Sequence, residues 1–440
     1  MIDLKDLRRN PDLYRAAATN KRIDVDIDQL MRLDAEHRTL LTDRQALVSE
    51  KNQIGKQIAK LAGQKKKAPA DQQAELAAEI ERVQARPAQI KQQEQELEKQ
   101  IELIEPRLED LLLRVPQPPD EEVPVGVDDT DNVEIRRVGE PRQFDFEPKD
   151  HVTLGQALGM IDVERGVKLA GTRSYFLKGA GTLMHQAVLR LAFDMMLERG
   201  FEALSVPTMV REPAMRGTGY LPAGLDQCYV LSSEEPQQFL VGTAEVPLTA
   251  YHMDEILDEA QLPRRYVALS PCFRREAGTY GKDTAGLFRI HQFDKVEQVI
   301  VCRNDTAESI RWHETILENA EAVMEKLEMP YRVVRVCSGD LGQGQAAKFD
   351  IETWMPSRQG YAETHSASRF YDFQARRLRM RYRDGQKKTH FCHTLNNTVI
   401  ASPRILIPLM ELNQDADGSI RVPEALRPYL NGLERIEAGS

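Results

Sequence analysis

The sequence is poor in cysteine, and its cysteines are unpaired. Only five occur among 440 residues, and none stands in a CxxC arrangement. A disulfide framework or a cysteine zinc site needs cysteines at characteristic short spacings. We therefore expect small buried thiols and no zinc. The five are Cys228, Cys272, Cys302, Cys337 and Cys392.

Long apolar runs are also missing. A membrane-spanning helix needs about 18 or more consecutive apolar residues, and no stretch of this chain approaches that length. The first residues, MIDLKDLRRN, lack the apolar core of a signal peptide. We therefore expect a cytoplasmic protein that does not associate with membranes.

Positive charge is in deficit overall but concentrated locally. The formal net charge is -10, which argues against a nucleic-acid partner because phosphate contacts need clustered basic residues. Between Lys51 and Pro69, however, there are six lysines and no acidic residue. This basic stretch predicts an RNA-binding surface, or else a solvated helical tip.

The basic stretch includes the end of the first of two helical patterns with an apolar residue every seven positions, and it continues into the segment between them. The apolar positions are Leu33, Leu40, Leu47, Ile54 and Leu61, then Leu76, Val83, Ile90, Leu97 and Ile104. Gly63 and Pro69 separate the two patterns and predict an antiparallel helical hairpin. The second seam position of the first helix is polar, which indicates a slender arm; it carries His37, Arg44 and Lys51.

Prolines and glycines predict the remaining boundaries. Pro87 and Pro106 predict a kink or a break in the second helix. We expect the arm over residues 1–115, an extended linker rich in Pro, Asp and Val over 116–150, and a globular domain over 151–440. Residues 182–199 predict a helix ended by Gly200, and Asp384-Gly385 predicts a two-residue hairpin turn. Local hairpins with helices between them favour an antiparallel sheet and the α+β class.

Residues 273–293, FRREAGTYGKDTAGLFRIHQF, predict two strands joined by a glycine-rich loop. Residues of equal parity share a face of a strand, so Arg274 and Glu276 share one. The odd positions of the second strand form a polar face with one aromatic residue: Arg289, His291, Phe293, Lys295 and Glu297. This face suits the floor of a ligand site, with glycines that let the loop approach an anion. The pattern alone also fits a surface hairpin with solvated charges.

Several long segments resemble the seryl-tRNA synthetases, a family of class II aminoacyl-tRNA synthetases. FRREAGTYGKDTAGLFRIHQFDKVE is similar to the second signature motif of the class. The other similar segments are the N-terminal hairpin, GTAEVPLT (242–249), GDLGQGQAAKFDIETWMP (339–356), ETHSASRFYDFQARR (363–377) and VPEALRPYL (422–430). The resemblance implies the class II antiparallel sheet flanked by helices, preceded by a coiled-coil arm.

The resemblance implies activation of serine by ATP and Mg²⁺, followed by transfer of the seryl group to tRNA. Attack of a carboxylate on the α-phosphorus needs alignment and charge stabilisation more than a protein nucleophile. By resemblance Arg274 contacts the α-phosphate and Glu276 the adenine amino group, while Phe293 and Arg404 stack on the two adenine faces. Arg289 is expected near the phosphates or the substrate carboxylate, so the expected catalytic residues are Arg274, Arg289 and Arg404.

The resemblance also implies further site residues. The additional nucleotide positions are Arg275, Glu363, Thr364, His365 and Ser366, of which Glu363 and Ser366 match Mg²⁺ ligands. The amino-acid positions are Thr243, Ala244, Glu245, Glu297 and Thr398. Thr243 and Glu245, expected on one strand face, take the ammonium group, and Glu297 reads the serine hydroxyl. A polar group left unpaired by alanine penalises that analogue strongly.

The resemblance assigns the arm to the long variable arm of tRNA(Ser), with Lys65, Lys66 and Lys67 at a basic tip. It also implies a homodimer through the first motif, near GFEALSVPTMV. Two further patterns, one typical of a metal site and one of a phosphate loop, carry little weight. His390 and His393 fall on opposite faces of a strand, and GDLGQGQ lacks the Lys-Ser/Thr of a phosphate loop.

The chain departs from the family in its third motif, LNNTVIASPR. Asn397, Thr398 and Val399 replace the usual G-S-G, and Pro403 replaces a glycine before Arg404. Arg275 stands where serine is usual, and so does His365, whose role is open. The resemblance therefore implies serine--tRNA ligase activity, with an alternative: a synthetase paralogue with altered amino-acid preference or with a non-catalytic RNA-binding or regulatory role.

Overall fold

The computed structural model describes residues 1–232, 237–278 and 286–438. The chain divides into two units. One comprises Met1–Asp3, Asp12–Ile23 and Pro116–Ser440, and the other comprises Leu4–Pro11 and Asp24–Val115. Within the described ranges, no helix combines the length and the apolar composition that crossing a membrane would require.

Four helices occupy the first quarter of the chain, two of them of 39 and 45 residues, and shorter helices alternate with strands thereafter. The helices are α1 (Leu4–Arg9), α2 (Pro11–Asn20), α3 (Ile27–Lys65), α4 (Ala70–Arg114), α5 (His151–Ala157), α6 (Val163–Ala170), α7 (Ala180–Glu198), α8 (Glu212–Thr218), α9 (Glu245–Thr249), α10 (Thr306–Lys326), α11 (Phe373–Leu378) and α12 (Leu406–Leu412). The strands are β1 (Val133–Val138), β2 (Ile161–Asp162), β3 (Phe176–Leu177), β4 (Glu202–Ala203), β5 (Met209–Arg211), β6 (Tyr229–Ser232), β7 (Gln238–Leu240), β8 (Ile256–Asp258), β9 (Arg264–Phe273), β10 (Gln292–Cys302), β11 (Tyr331–Arg335), β12 (Ala347–Met355), β13 (Gly360–Tyr371), β14 (Arg381–Arg383), β15 (Thr389–Phe391), β16 (His393–Ser402), β17 (Ile420–Arg421) and β18 (Arg435–Ile436).

Helices α3 and α4 form the predicted antiparallel hairpin. Asp26 begins α3 as its N-cap, because its carboxylate accepts a hydrogen bond from the Gln29 amide at 2.7 Å. Helix α3 continues through Gly63 to Lys65, so Gly63 does not end it, whereas Pro69 immediately precedes α4. The predicted heptad positions are buried or half-buried, which confirms the coiled-coil arm.

The polar seam of α3 is occupied by ion pairs. Each basic side chain of the seam reaches a glutamate of α4: His37 Nε2 to Glu105 Oε1 at 3.2 Å, Arg44 Nη2 to Glu98 Oε1 at 3.9 Å, and Lys51 Nζ to Glu94 Oε2 at 2.7 Å. Pairs exposed to this degree contribute little stability individually. The glutamates of α4 nevertheless give the polar side chains of α3 partners at positions where a coiled coil would otherwise bury apolar side chains.

Pro87 and Pro106 lie inside α4 without interrupting it. A proline removes one backbone donor and crowds the preceding turn. The other hydrogen bonds of this long helix and its packing against α3 nevertheless keep both sides helical. The predicted break in the helix is therefore wrong at both prolines.

The other unit is built on an eight-stranded sheet in the order β1-β11-β12-β13-β16-β10-β9-β4. Neighbouring strands are antiparallel, except that β4 pairs with β9 in parallel. Helices α7 and α10 contribute Met184, Val188, Ala320 and Val323 to the main core, and all four are completely buried. The antiparallel α+β prediction is confirmed.

Strand β1 comes from the segment that was expected to be a linker. Val133–Val138 pairs with β11 at the edge of the large sheet, and the whole of 116–150 belongs to the sheet-containing unit. The structure therefore differs from the expected extended connection. The strand was not apparent from the sequence because its partner lies far along the chain and five of its six residues are exposed.

Two local predictions concern the ends of elements. The helix expected over 182–199 is α7, and Gly200 follows it with a φ of 78°, as a terminating glycine should. The hairpin around Asp384 exists as β14 and β15, but a two-residue turn is wrong. The strands are joined by residues 384–388, and Lys387 adopts the left-handed conformation with a φ of 66°.

Candidate active site

A cavity lies above β10, β13 and β16 of the large sheet. It is lined by Tyr220, Glu245, Arg274, Glu276, Leu287, Phe288, Ile290, Phe293, Lys295, Glu297, Gln345, Glu363, Thr364, Ser366, Ser368, Asn396, Thr398, Ala401, Ser402 and Arg404. Charged groups of both signs are therefore held together in one partly enclosed space. Ten of the sequence-predicted site residues lie in this lining.

Strand β10 supplies part of the floor through alternate residues. Phe293, Lys295 and Glu297 line the cavity, as their shared parity predicts. The strand begins at Gln292, so Arg289 and His291 precede it. Arg289 instead donates from Nη1 to Glu276 Oε2 at 3.3 Å, beside the cavity rather than in its lining.

Arg274 and Glu276 reach the cavity from a loop. Strand β9 ends at Phe273, and Glu276 has a left-handed backbone with a φ of 51°. The predicted shared strand face is therefore wrong, although both residues line the same cavity. The Arg274 guanidinium lies 5.2 Å from the centre of the Phe293 ring. The predicted glycine loop falls partly on residues 279–285, outside the described residues.

A bulge brings Glu363 and Ser366 to the same cavity. Residues three apart in a regular strand face opposite ways, but the pairing of β13 with β12 shifts register between Ile351 and Glu352. The shift leaves Thr364 as the extra residue. Thr364 also lines the cavity, and its hydroxyl lies 2.7 Å from that of Thr353.

Arginines surround the Glu363 carboxylate. Burial acts to raise the pKa of Glu363, but Lys348, Arg404 and Arg274 together hold the pKa below its ordinary value. Glu363 is therefore ionised at neutral pH. Arg404 donates from Nη1 to the Glu363 carbonyl at 3.2 Å, and its guanidinium lies 4.5 Å from the centre of the Phe288 ring.

The other end of the cavity holds two buried carboxylates. Glu297 accepts from the Thr243 hydroxyl at 3.3 Å and forms an ion pair with Lys295. Thr398 lies directly across the β10–β16 pairing from Glu297. Glu245 begins α9, and its amide donates to the Thr243 hydroxyl at 3.1 Å. A turn into a helix therefore places Thr243 and Glu245, and the prediction that they share one strand face is wrong.

Burial controls the protonation of Glu245. Its carboxylate accepts from Tyr220 at 3.0 Å and from Gln374 at 2.8 Å. Burial, followed by the charge of Glu297, raises the pKa of Glu245 to about 7. Ala244 is fully buried beside it, at the start of the same helix.

Five predicted residues do not line the cavity, and for two of them, Arg275 and His365, the contacts explain why. Arg275 is exposed, and its amide donates to the Gln227 carbonyl at 3.0 Å. His365 is buried, with Nδ1 at 2.8 Å from the Thr364 hydroxyl. Burial lowers the pKa of His365 to about 4, so its ring is neutral at physiological pH.

Several lining residues were not predicted as site residues. Tyr220, Gln345, Ser368 and Asn396 reach the cavity from separate segments. Lys295 had a usable signal, because it shares the strand parity of Phe293 and Glu297.

The two histidines of the proposed metal-like pattern each have another partner. His390 Nε2 lies 2.8 Å from Asp384, and His393 Nδ1 lies 2.7 Å from the Ser309 hydroxyl. Across the described ranges, no group of three or more His, Cys, Asp or Glu side chains is arranged to hold a metal ion.

Comparisons with known proteins cover both units. A family model described as Seryl-tRNA synthetase N-terminal domain matches residues 1–119, and one described as tRNA synthetase class II core domain (G, H, P, S and T) matches residues 229–413. The Serine--tRNA ligase of Deinococcus radiodurans is 43% identical over 434 residues, which are 99% of this chain and 98% of that protein. The chain belongs to the seryl-tRNA synthetase family.

Solved structures of the family have the same fold. The crystal structure of seryl-tRNA synthetase from Pyrococcus horikoshii complexed with ATP aligns with a TM-score of 0.86 at 37% identity, covering 100% of both chains. The cytoplasmic Serine-tRNA ligase from Naegleria fowleri in complex with AMP gives 0.83 at 30% identity, covering 98% of this chain and 96% of that chain.

The unusual third motif of this seryl-tRNA synthetase family member affects the cavity mainly through one residue. Asn396 and Thr398 line the cavity, whereas the intervening Asn397 faces away. Asn397 accepts from Gln298 at 2.6 Å and donates to the Ser366 carbonyl at 3.0 Å. Val399 is completely buried in the main core. Two of the three substitutions for G-S-G therefore serve packing and strand pairing.

Proposed function

We infer that the chain is a serine--tRNA ligase, which activates L-serine with ATP and transfers the seryl group to tRNA(Ser). The observation that carries this inference is the identity of 43% to a Serine--tRNA ligase over 99% of the chain. The cavity supports it, because it combines cations suited to phosphates with carboxylates suited to an amino acid. The chain is thus an ATP-dependent ligase of the synthetase class.

The arginine-rich end of the cavity binds ATP in this proposal. Arg274 holds the α-phosphate, since a guanidinium fork matches phosphate oxygens, and its contact strengthens as charge develops during attack of the serine carboxylate. Glu276 accepts from the adenine amino group. Phe293 and Arg404 stack on opposite adenine faces.

Two arginines act at the margin of the nucleotide site. Arg289, paired with Glu276 at 3.3 Å, orients that carboxylate and contributes positive charge toward the phosphates. The exposed Arg275 adds long-range attraction for ATP. His365 supports Thr364 through their 2.8 Å contact.

Glu363 and Ser366 are the residues that would hold Mg²⁺. Their oxygens are hard donors, and the low pKa of Glu363 keeps it ionised, so the donor set suits a metal that also uses substrate phosphates. The metal supplies charge neutralisation at the phosphates. The proposed chemistry requires no zinc.

The carboxylate-rich end binds serine. Thr243 and Glu245, with the Ala244 backbone between them, receive the ammonium group, and Glu297 accepts from the hydroxyl. Thr398 lies across from Glu297 and limits the room beside the substrate side chain. A buried carboxylate left without its partner penalises alanine more than a missing methyl group would.

The α3–α4 arm binds tRNA in this proposal, with its lysine-rich tip toward the phosphates. Residues 151–440 carry the adenylate chemistry, and residues 1–115 supply the tRNA contacts. We propose that the protein acts in the cytoplasm as a homodimer formed near residues 200–210.

Pyrophosphate exchange tests this function. The purified chain should exchange labelled pyrophosphate into ATP when L-serine is supplied, and it should charge tRNA(Ser). Threonine, alanine and cysteine serve as comparison amino acids. A chain that binds tRNA(Ser) but shows no serine-dependent exchange would instead be the non-catalytic paralogue, and preference for another amino acid would reassign specificity.

A further inference from the structure

Lys295 is a buried cation inside the proposed serine site. The residue is 5% exposed, and its side chain points from β10 into the cavity with those of Phe293 and Glu297. Its ammonium group pairs with Glu297 and donates to the Thr398 hydroxyl at 3.4 Å. Burying an ammonium group is costly unless it is paired and hydrogen-bonded. We therefore expect the buried ammonium group of Lys295 to have a role in substrate binding.

The contacts of Glu297 are asymmetric. Lys295 and the Thr243 hydroxyl both approach Oε2. Within the described ranges, no hydrogen bond reaches Oε1, although Glu297 lines the cavity. A carboxylate held at one oxygen keeps a defined orientation. The other oxygen can then accept the hydrogen of a substrate hydroxyl.

A second buried carboxylate makes the cation necessary. Glu245 is 8% exposed and Glu297 is 2% exposed. Burial is the largest influence on the pKa of Glu245 and raises it. The charge of Glu297 also raises this pKa, whereas the charge of Lys295 lowers it. Without a cation, two like charges in one cavity favour protonation of one of them. A protonated Glu245 would lose its attraction for an ammonium group.

The charges in this part of the cavity leave room for one more cation. When both carboxylates are ionised, they and the one ammonium group give a net charge of minus one. An α-amino acid supplies a single ammonium group, so the charge balance is completed by the substrate rather than by a second protein cation. The hydroxyl of the substrate then meets a carboxylate that is already paired.

We propose that Lys295 is a specificity-determining residue that holds Glu297 in one orientation, so that Oε1 accepts the serine hydroxyl while Glu245 remains available for the substrate ammonium group. The proposal rests on the serine--tRNA ligase function inferred above. It assigns Lys295 to discrimination between serine and alanine, with no direct part in ATP binding.

The test measures amino-acid preference in pyrophosphate exchange. Lys295→Met keeps the length of the side chain but removes the charge. We expect the ratio of kcat/KM for serine to that for alanine to fall by about tenfold or more, while the KM for ATP stays within about twofold. Lys295→Gln retains a donor without the charge, and it should show the same direction of change if Lys295→Met does not fold.

A double-mutant cycle with Glu297→Gln separates a specific role from general damage. If Lys295 acts through Glu297, adding Lys295→Met to Glu297→Gln should lower the preference no further. Lys348→Met is a matched control, because Lys348 is likewise paired with an acid two residues along its strand, at 3.0 Å from Asp350. This control should preserve the serine-to-alanine ratio whatever it does to the overall rate.

The outcomes distinguish this proposal from the function on which it rests. A wild-type chain without serine-dependent exchange refutes the proposed function. A wild-type chain that prefers serine, together with folded Lys295 variants whose preference changes by less than about twofold, overturns the role of Lys295 alone. Losses that simply multiply in the double variant would also overturn it.

Discussion

Lowering the pH should weaken serine binding through Glu245. This carboxylate is buried, accepts hydrogen bonds from Tyr220 and Gln374, and has its pKa raised to about 7, first by burial and then by the charge of Glu297. Only its ionised form attracts the ammonium group of an amino acid. Because the pKa is raised, the ionised form is lost as the pH falls through neutrality, well above the range of an exposed glutamate.

The size of the effect follows from the titration. With a pKa of about 7, about nine-tenths of Glu245 is ionised at pH 8 and about one-tenth at pH 6. If serine binds only to the ionised form, its apparent affinity falls in proportion to that fraction. The KM for serine should therefore rise by about tenfold between pH 8 and pH 6.

The assay is serine-dependent pyrophosphate exchange at saturating ATP, with KM determined at half-unit intervals from pH 5.5 to 8.5. Glu245→Gln is the control, since it keeps the shape but cannot titrate. Its KM should be raised at every pH and should vary little with pH. A wild-type KM that stays constant down to pH 5.5, or a Glu245→Gln profile as steep as that of the wild type, would refute the reasoning.

Three further predictions follow from the proposed roles. Arg274→Ala should depress kcat for adenylate formation far more than it raises the KM for ATP; a change confined to KM would make Arg274 a ground-state binding residue. Replacing Lys65, Lys66 and Lys67 with glutamine should weaken tRNA binding and flatten its salt dependence, and an unchanged salt slope would exclude the tip from the interface. Thr398→Ser should relax discrimination against threonine by at most about 1–3 kcal/mol, while serine activation continues. Exchange kinetics with serine and threonine measure this discrimination, and an unchanged value would place Thr398 away from the substrate.

Local periodicity predicted the elements that depend on neighbouring residues. The seven-residue repeat predicted α3 and α4, and strand parity placed Phe293 and Glu297 on one face, because both patterns repeat within a single element. The same parity put Lys295 on that face, but Lys295 was not predicted as a site residue; its significance became evident only from its contacts with Glu297 and Thr398.

Features that depend on distant partners were not predictable in this way. The bulge at Thr364 arises from pairing between two strands, and it alone explains how Glu363 and Ser366 share a cavity. Tyr220 reaches Glu245 from another segment, with no periodic signal in the sequence. Pro87 and Pro106 lie in a continuous helix, because packing along a long hairpin offsets a local penalty that is about 3 kcal/mol for an interior proline.

The position of β1 has a consequence during synthesis on the ribosome. Its partner strand begins at Tyr331, whereas β1 ends at Val138, so at about 5–20 residues per second the strand waits roughly 10–40 s for its partner. An unpaired strand is a template for aggregation, which charged side chains on the strand oppose. The sequence VEIRRV carries Glu134, Arg136 and Arg137 within six exposed or half-exposed residues. These charges therefore protect the nascent chain at a stage when the sheet they will join does not yet exist.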